Sequence, residues 1–125
     1  MLAHKGKMKL RPVHAHVKRE GILDKVKPFL KIEGHNHEWK SEHKHGHNVE
    51  WGHEGHWEHH LHPNDEVHMK LMDHEGLLNN EPIGHWNGSL KEFMHESHTI
   101  EREFEFMHMG HCAAVVKMHI HFERD

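Results

Sequence analysis

The sequence predicts an all-β domain, a sandwich or barrel of short strands, and three observations carry the prediction. Residues 99–106 (TIEREFEF) alternate strictly, with Ile100, Arg102, Phe104 and Phe106 on one side and Glu101, Glu103 and Glu105 on the other. Residues 113–123 (AAVVKMHIHFE) alternate again, placing Val116, Met118, Ile120 and Phe122 together. Met109-Gly110-His111 between the two runs supplies a turn, so they read as a hairpin. Several short strands with frequent turns fit a sandwich or barrel.

The remaining elements follow in chain order. Residues 9–20 (KLRPVHAHVKRE) alternate weakly and predict a first strand, which Pro12 assigns to a sheet edge. Residues 22–32 set Ile22, Leu23, Val26, Phe29 and Leu30 on one helical stripe, and Pro28 limits that helix to one or two turns. Residues 33–59 are rich in Gly, His, Glu and Trp, and the alternation of His43, His45 and His47 fits a strand or an irregular loop. Residues 61–72 read as a turn at Pro63-Asn64-Asp65 followed by a strand. Asn79-Asn80 and Pro82-Ile83-Gly84 are further turn signals.

Composition bounds the function. At 125 residues the chain is one domain, here divided into a polar N-terminal region, 1–54, with the short helix, and a barrel core, 55–125. Only 34% of residues are hydrophobic and 29% are charged, but the apolar ones gather near 22–32, 67–78 and 99–122. Acidic residues outnumber basic ones, 20 to 16, without a Lys/Arg block, which argues against nucleic acid as a partner. The single cysteine, Cys112, excludes an internal disulfide and suggests a reducing compartment. No apolar run approaches a membrane span, and the first residues carry no signal-peptide stretch. The expectation is a soluble cytoplasmic protein with no membrane partner.

The 22 histidines point to metal or proton binding, or to engineered enrichment. Imidazole suits zinc, iron, nickel and copper, and a carboxylate adds charge. His60 and His62, two apart on a strand, project to one side, and Glu66 shares their parity. Three such ligands can surround one point if a distant strand supplies the fourth.

The stretch 59–67 (HHLHPNDEV), followed by HMKLMDHEG, resembles the first conserved motif of the cupins: an HxH, a short gap, a Glu, then an apolar strand and turn. Residues 88–100 (GSLKEFMHESHTI) resemble the second, which leads to the last histidine ligand, His98. The resemblance implies a double-stranded β-helix barrel over about 55–125, with a metal held by His60, His62, Glu66 and His98. It leaves Fe, Mn, Ni, Cu and Zn open. It further implies an oxygenase or isomerase acting on a small organic molecule, with His68 or Glu96 moving protons. The sequence departs from the motifs at Asp73, where glycine is usual, at His68, and at Phe93 and His95 in the second turn.

Two other resemblances compete. His45-Gly46-His47-Asn48, with His16, is similar to the zinc motif of the 6-pyruvoyl-tetrahydropterin synthase family, and Met72-Asp73-His74 with Leu78-Asn79 to its later element. The expected cysteine is absent. The C-terminal third is similar to the curved sheet of NTF2-like α+β domains. A non-catalytic or engineered histidine-rich protein that binds metal or ligand is the alternative outside these families.

Isolated histidines such as His4, His108, His111, His119 and His121 read as surface residues. Trp39, Trp51, Trp57 and Trp86 read as core and rim packing, and Cys112 as a small buried hydrophobe. Exposed strand edges and the apolar hairpin face favour a homodimer.

Overall fold

The computed structural model describes residues 2–19, 25–52, 55–74 and 82–125. Alternation builds it. Among the described residues nine strands appear in chain order: β1 (Gly6–Val17), β2 (Pro28–Gly34), β3 (His37–Lys40), β4 (Asn48–Glu50), β5 (Trp57–Leu61), β6 (Glu66–Asp73), β7 (Gly84–Ser89), β8 (His98–His108) and β9 (His111–Arg124). A 3-10 turn, Lys91–Phe93, is the one helical element among the described residues.

All pairings are antiparallel and follow the path β3-β2-β6-β7-β8-β9-β1-β4, with β5 also on β1. Only one residue pair, His85 and Met107, joins β7 to β8. The path therefore folds there into two layers, β3-β2-β6-β7 and β8-β9-β1 with β4 and β5. The inward residues of both layers make the core: Met8, Leu10, Leu30, Ile32, Val67, Met69, Leu71, Phe106, Val116, Met118, Ile120 and Phe122 are fully buried.

The predicted hairpin is β8–β9, turning at Met109 and Gly110, both with positive φ (49° and 80°), as the tight turn between twisted strands requires. On β8 the apolar side closes over the core only from Phe104 onward; Arg102 is exposed and Ile100 half-buried. The turn at Pro63 and Asn64 and the strand after it also stand as read.

Two local expectations are corrected. Residues 28–32 form strand β2 rather than a helix, because the cross-strand partners Met69, Leu71 and Met72 need a period of two. Ile22 and Leu23 lie outside the described residues. Pro12 does not mark an edge: β1 is central, between β9 and the β4/β5 side. The proline is tolerated because the pairing with β9 shifts register between Pro12 and His14. On the other side, β4 ends at Glu50 opposite His14, and β5 begins at Trp57 opposite Leu10, which leaves Pro12 in the gap between them. Proline, with no N–H to donate, sits where no partner needs one.

The strand directions set two ends. β1, β3, β6 and β8 finish at one, where β2, β4, β7 and β9 begin; this is the loop end. The other carries both termini, the β2–β3 turn at 35–36, the β5–β6 turn at 62–65 and the 3-10 turn.

Candidate functional site

The parity of His60 and His62 is as read, but it points outward. Leu61 between them is fully buried, so both imidazoles lie on the solvent side. His60 Nε2 donates to the Asp125 carboxylate at 2.7 and 2.8 Å. The His62 ring stands edge-on to it at 6.5 Å. Glu66 opens β6 in the other layer with its side chain 72% exposed. His98 opens β8 and donates from Nε2 to Phe93 O at 2.8 Å. Register places His60 and His98 three strands apart across β5-β1-β9-β8, roughly 14 Å at the usual strand spacing. The four side chains are not brought together.

His68 is exposed on β6 and donates from Nδ1 to Asn87 Oδ1 at 2.8 Å, and Glu96 is exposed in the bend before β8. His16 Nδ1 donates to Asn48 Oδ1 at 2.6 Å as a cross-strand pair, while His45 and His47 sit on the β3–β4 loop. Leu78 and Asn79 lie outside the described residues. Among the described residues no group of three or more His, Cys, Asp or Glu is arranged to hold a metal ion.

The histidines instead stack. At the terminal end His35 and His59 lie face to face with centroids 4.9 Å apart, and His35 Nε2 donates to Asp65 Oδ2 at 2.5 Å. Asp65 also accepts the His62 backbone N–H at 2.7 Å. Burial pushes the Asp65 carboxyl up, but the His35 and His62 hydrogen bonds outweigh it and hold the group below its ordinary value. At the loop end His43 stacks on His74 at 4.0 Å, beside Phe29.

A different set converges on the outer side of the β3-β2-β6-β7 layer. Lys40 pairs with Lys31, Lys31 with Lys70, and Lys70 with His85, a single row across four strands. Neighbours in such a row have Cβ atoms roughly 5 Å apart, so like charges repel. Glu38 offsets part of this, reaching Lys31 Nζ at 3.2 Å and Lys40 Nζ at 3.5 Å. The Lys31 hydrogen bond holds the Glu38 carboxyl below its usual range; burial opposes it, and the charges of Lys31 and Lys40 add to the lowering. Lys70 is exposed and makes no ion pair among the described residues. The next row towards the terminal end is Glu33 and His68; towards the loop end it is the half-buried Phe29 and Met72.

The loop end itself carries cations beside an apolar tip. Met109 is 83% exposed on the β8–β9 turn. It shares a hollow of about 540 Å³ with Lys18, Arg19, His108, His111, Cys112 and Ala113. The Lys18 and Arg19 N–H groups both donate to Ala113 O, at 2.7 and 2.9 Å, fixing the exit of β1 against the start of β9. Cys112 is half-buried and free. Trp51 and Trp57 are buried, and Trp39 and Trp86 pack on the core.

No protein-family model matches the chain, and no curated protein matches it in sequence. Solved structures do match in fold. A C2 domain of plant extended synaptotagmin 1 superposes with a TM-score of 0.78 at 18% identity, covering 98% of this chain and 97% of that one. A C2 domain-containing protein superposes at 0.80 with 13% identity, covering 100% and 93%. Human GIVD cytosolic phospholipase A2, in complex with methyl gamma-linolenyl fluorophosphonate, superposes at 0.75 with 8% identity; the chain is covered in full and spans 18% of that protein. These matches overturn the cupin resemblance, and with it the metal-dependent oxygenase or isomerase and its pterin-synthase-like and NTF2-like competitors. The HxH and Glu arose here from alternation in a histidine-rich strand and the turn after it. The fold of this chain is that of the C2 domains, an antiparallel β-sandwich.

Proposed function

We propose that the chain is a C2-type docking module that binds an anionic lipid surface through the outer side of β3-β2-β6-β7 and the neighbouring loop end. The observation that carries the reading is the row Lys40-Lys31-Lys70-His85. Three lysines directly opposite one another cost stability, and an anionic partner offsets that cost. C2 domains bind calcium and lipids, which makes a phospholipid surface the partner that fits the fold. The expected absence of a membrane partner is thereby reversed, although no helix among the described residues is long and apolar enough to cross one. Attachment is peripheral in this reading, with Met109 the exposed apolar group placed to enter the headgroup region beside Lys18 and Arg19.

Calcium takes about six to eight oxygen ligands. The described carboxylates at the loop end do not make such a set: Glu42 meets Lys44 at 2.6 Å, and Asp73 Oδ1 accepts the Lys27 N–H at 3.0 Å. In this reading the lysines of this face supply the positive charge.

Co-sedimentation with vesicles tests the reading. Phosphatidylcholine vesicles containing phosphatidylserine should pellet the protein in EDTA at low salt, and vesicles of phosphatidylcholine alone should not. Replacing Lys31, Lys40 and Lys70 together by Gln should release it. Binding that ignores lipid charge or this substitution, or that requires added calcium, would overturn the reading.

A further inference from the structure

Strand β8 has an open side. It pairs with β9 along its whole length, His98 to His108, but with β7 only at Met107. From His98 to Phe106, among the described residues, no strand lies on the side away from β9. In an antiparallel strand about half of the N–H and C=O groups point to each side, so this stretch presents a row of backbone donors and acceptors.

A groove of about 460 Å³ runs along that side. Its floor is aromatic: Trp86 meets Phe104 edge-to-face at 5.2 Å, and Phe93 meets Phe104 at 6.1 Å. Its rim holds Glu92, Glu103 and Glu105, with Arg102 the one cation. Glu101, Glu103 and Glu105 are exposed, share one face of β8 and make no ion pair among the described residues. Arg102 folds back, its Nη1 donating to Glu101 O at 3.0 Å.

We propose that this side of β8 binds an extended basic segment of a partner protein by strand addition. Side chains on one face of a strand repeat at roughly 6.8 Å, so lysines or arginines at every second position would face Glu101, Glu103 and Glu105 in register. The intervening side chains would enter the groove over Trp86, Phe93 and Phe104, where aromatic faces also suit a cation. A second copy of this chain fits poorly. Pairing β8 with itself about Glu103 sets Glu103 against Glu103 and Glu101 against Glu105. The acidic alternation thus disfavours self-pairing while favouring a basic strand. Arg102 lines the groove that the intervening side chains would enter, and its charge opposes an arriving basic strand. The proposal does not depend on lipid binding, because it concerns the opposite charge on a different layer.

Fluorescence anisotropy in the absence of lipid tests it, with a labelled short peptide alternating lysine and valine. The peptide should bind. The same peptide with prolines in place of the valines keeps its charge, cannot pair as a strand, and should bind about tenfold more weakly. Glu103→Lys with Glu105→Lys should reduce binding about tenfold or more, Arg102→Ala should strengthen it, and Glu33→Lys on the other layer should leave it unchanged. Bound peptide should also slow exchange of β8 amides and shift the Trp86 indole resonance. Equal binding of the proline peptide would overturn the proposal, since plain charge attraction would then suffice. Indifference to the double Glu103/Glu105 variant, or no binding at all, would overturn it as well.

Discussion

Lys70→Gln separates a docking surface from an ordinary solvated strand face. Lys70 has Lys31 on one side and His85 on the other and makes no ion pair among the described residues. Its charge is fully available to a partner, while those of Lys31 and Lys40 are partly spent on Glu38. A lysine near an anionic membrane is worth about 1 kcal/mol, so Lys70→Gln should weaken vesicle binding about fivefold. Lys31→Gln or Lys40→Gln alone should do less. The triple substitution should fall between that fivefold and the roughly 150-fold of three independent charges. Glu38→Gln has the more telling sign: it frees two lysines and should tighten binding, while lowering the urea midpoint because the row loses its counter-charge. Partition into phosphatidylserine vesicles, measured beside urea unfolding, reads both quantities. If Glu38→Gln weakened binding, or if Lys70→Gln had no more effect than Lys40→Gln, the row would not be the contact surface.

Two further outcomes follow from other parts of the sandwich. The carboxyl of Asp65 is held below its ordinary value, so its contribution to stability is complete above that value and is lost as pH falls through the folded one. Asp65→Asn should cost about 1–2 kcal/mol near neutrality and flatten the acid limb of a stability–pH curve measured by urea unfolding. A Cβ on Gly6 would lie 2.2 Å from Glu123 O, a backbone atom, so Gly6→Ala should part the ends of β1 and β9 and lower stability by about 1–3 kcal/mol in the same assay.

How much of this was legible depended on whether the signal was local. The β8–β9 hairpin was readable because each strand writes its own alternation and the turn between them is two residues long. The β6 strand was readable for the same reason, with Pro63 and Asn64 marking its start. Misreadings came where a local rule met a tertiary exception. Pro12 argues for an edge in isolation, yet a register shift on one side and the gap between β4 and β5 on the other let it sit in a central strand. Residues 22–32 satisfy a helical stripe about as well as a strand period, and pairing with Met69, Leu71 and Met72 decides between them for the part that is described.

The candidate site was harder because neither of its surfaces is written in any contiguous stretch. Lys31, Lys40 and Lys70 are nine and thirty residues apart in sequence, and only the pairing order β3-β2-β6 brings them into one row. Spacing along the chain carries no trace of that. The histidines misled for the converse reason. His60, His62 and Glu66 are close in sequence and share parity, but parity fixes only that residues face the same way, not which way or towards what. With Leu61 and Trp57 turned into the core, His60 between them in the alternation had to face solvent. Had the burial of Leu61 been weighed first, the same alternation that suggested a metal pocket would have placed its ligands outside.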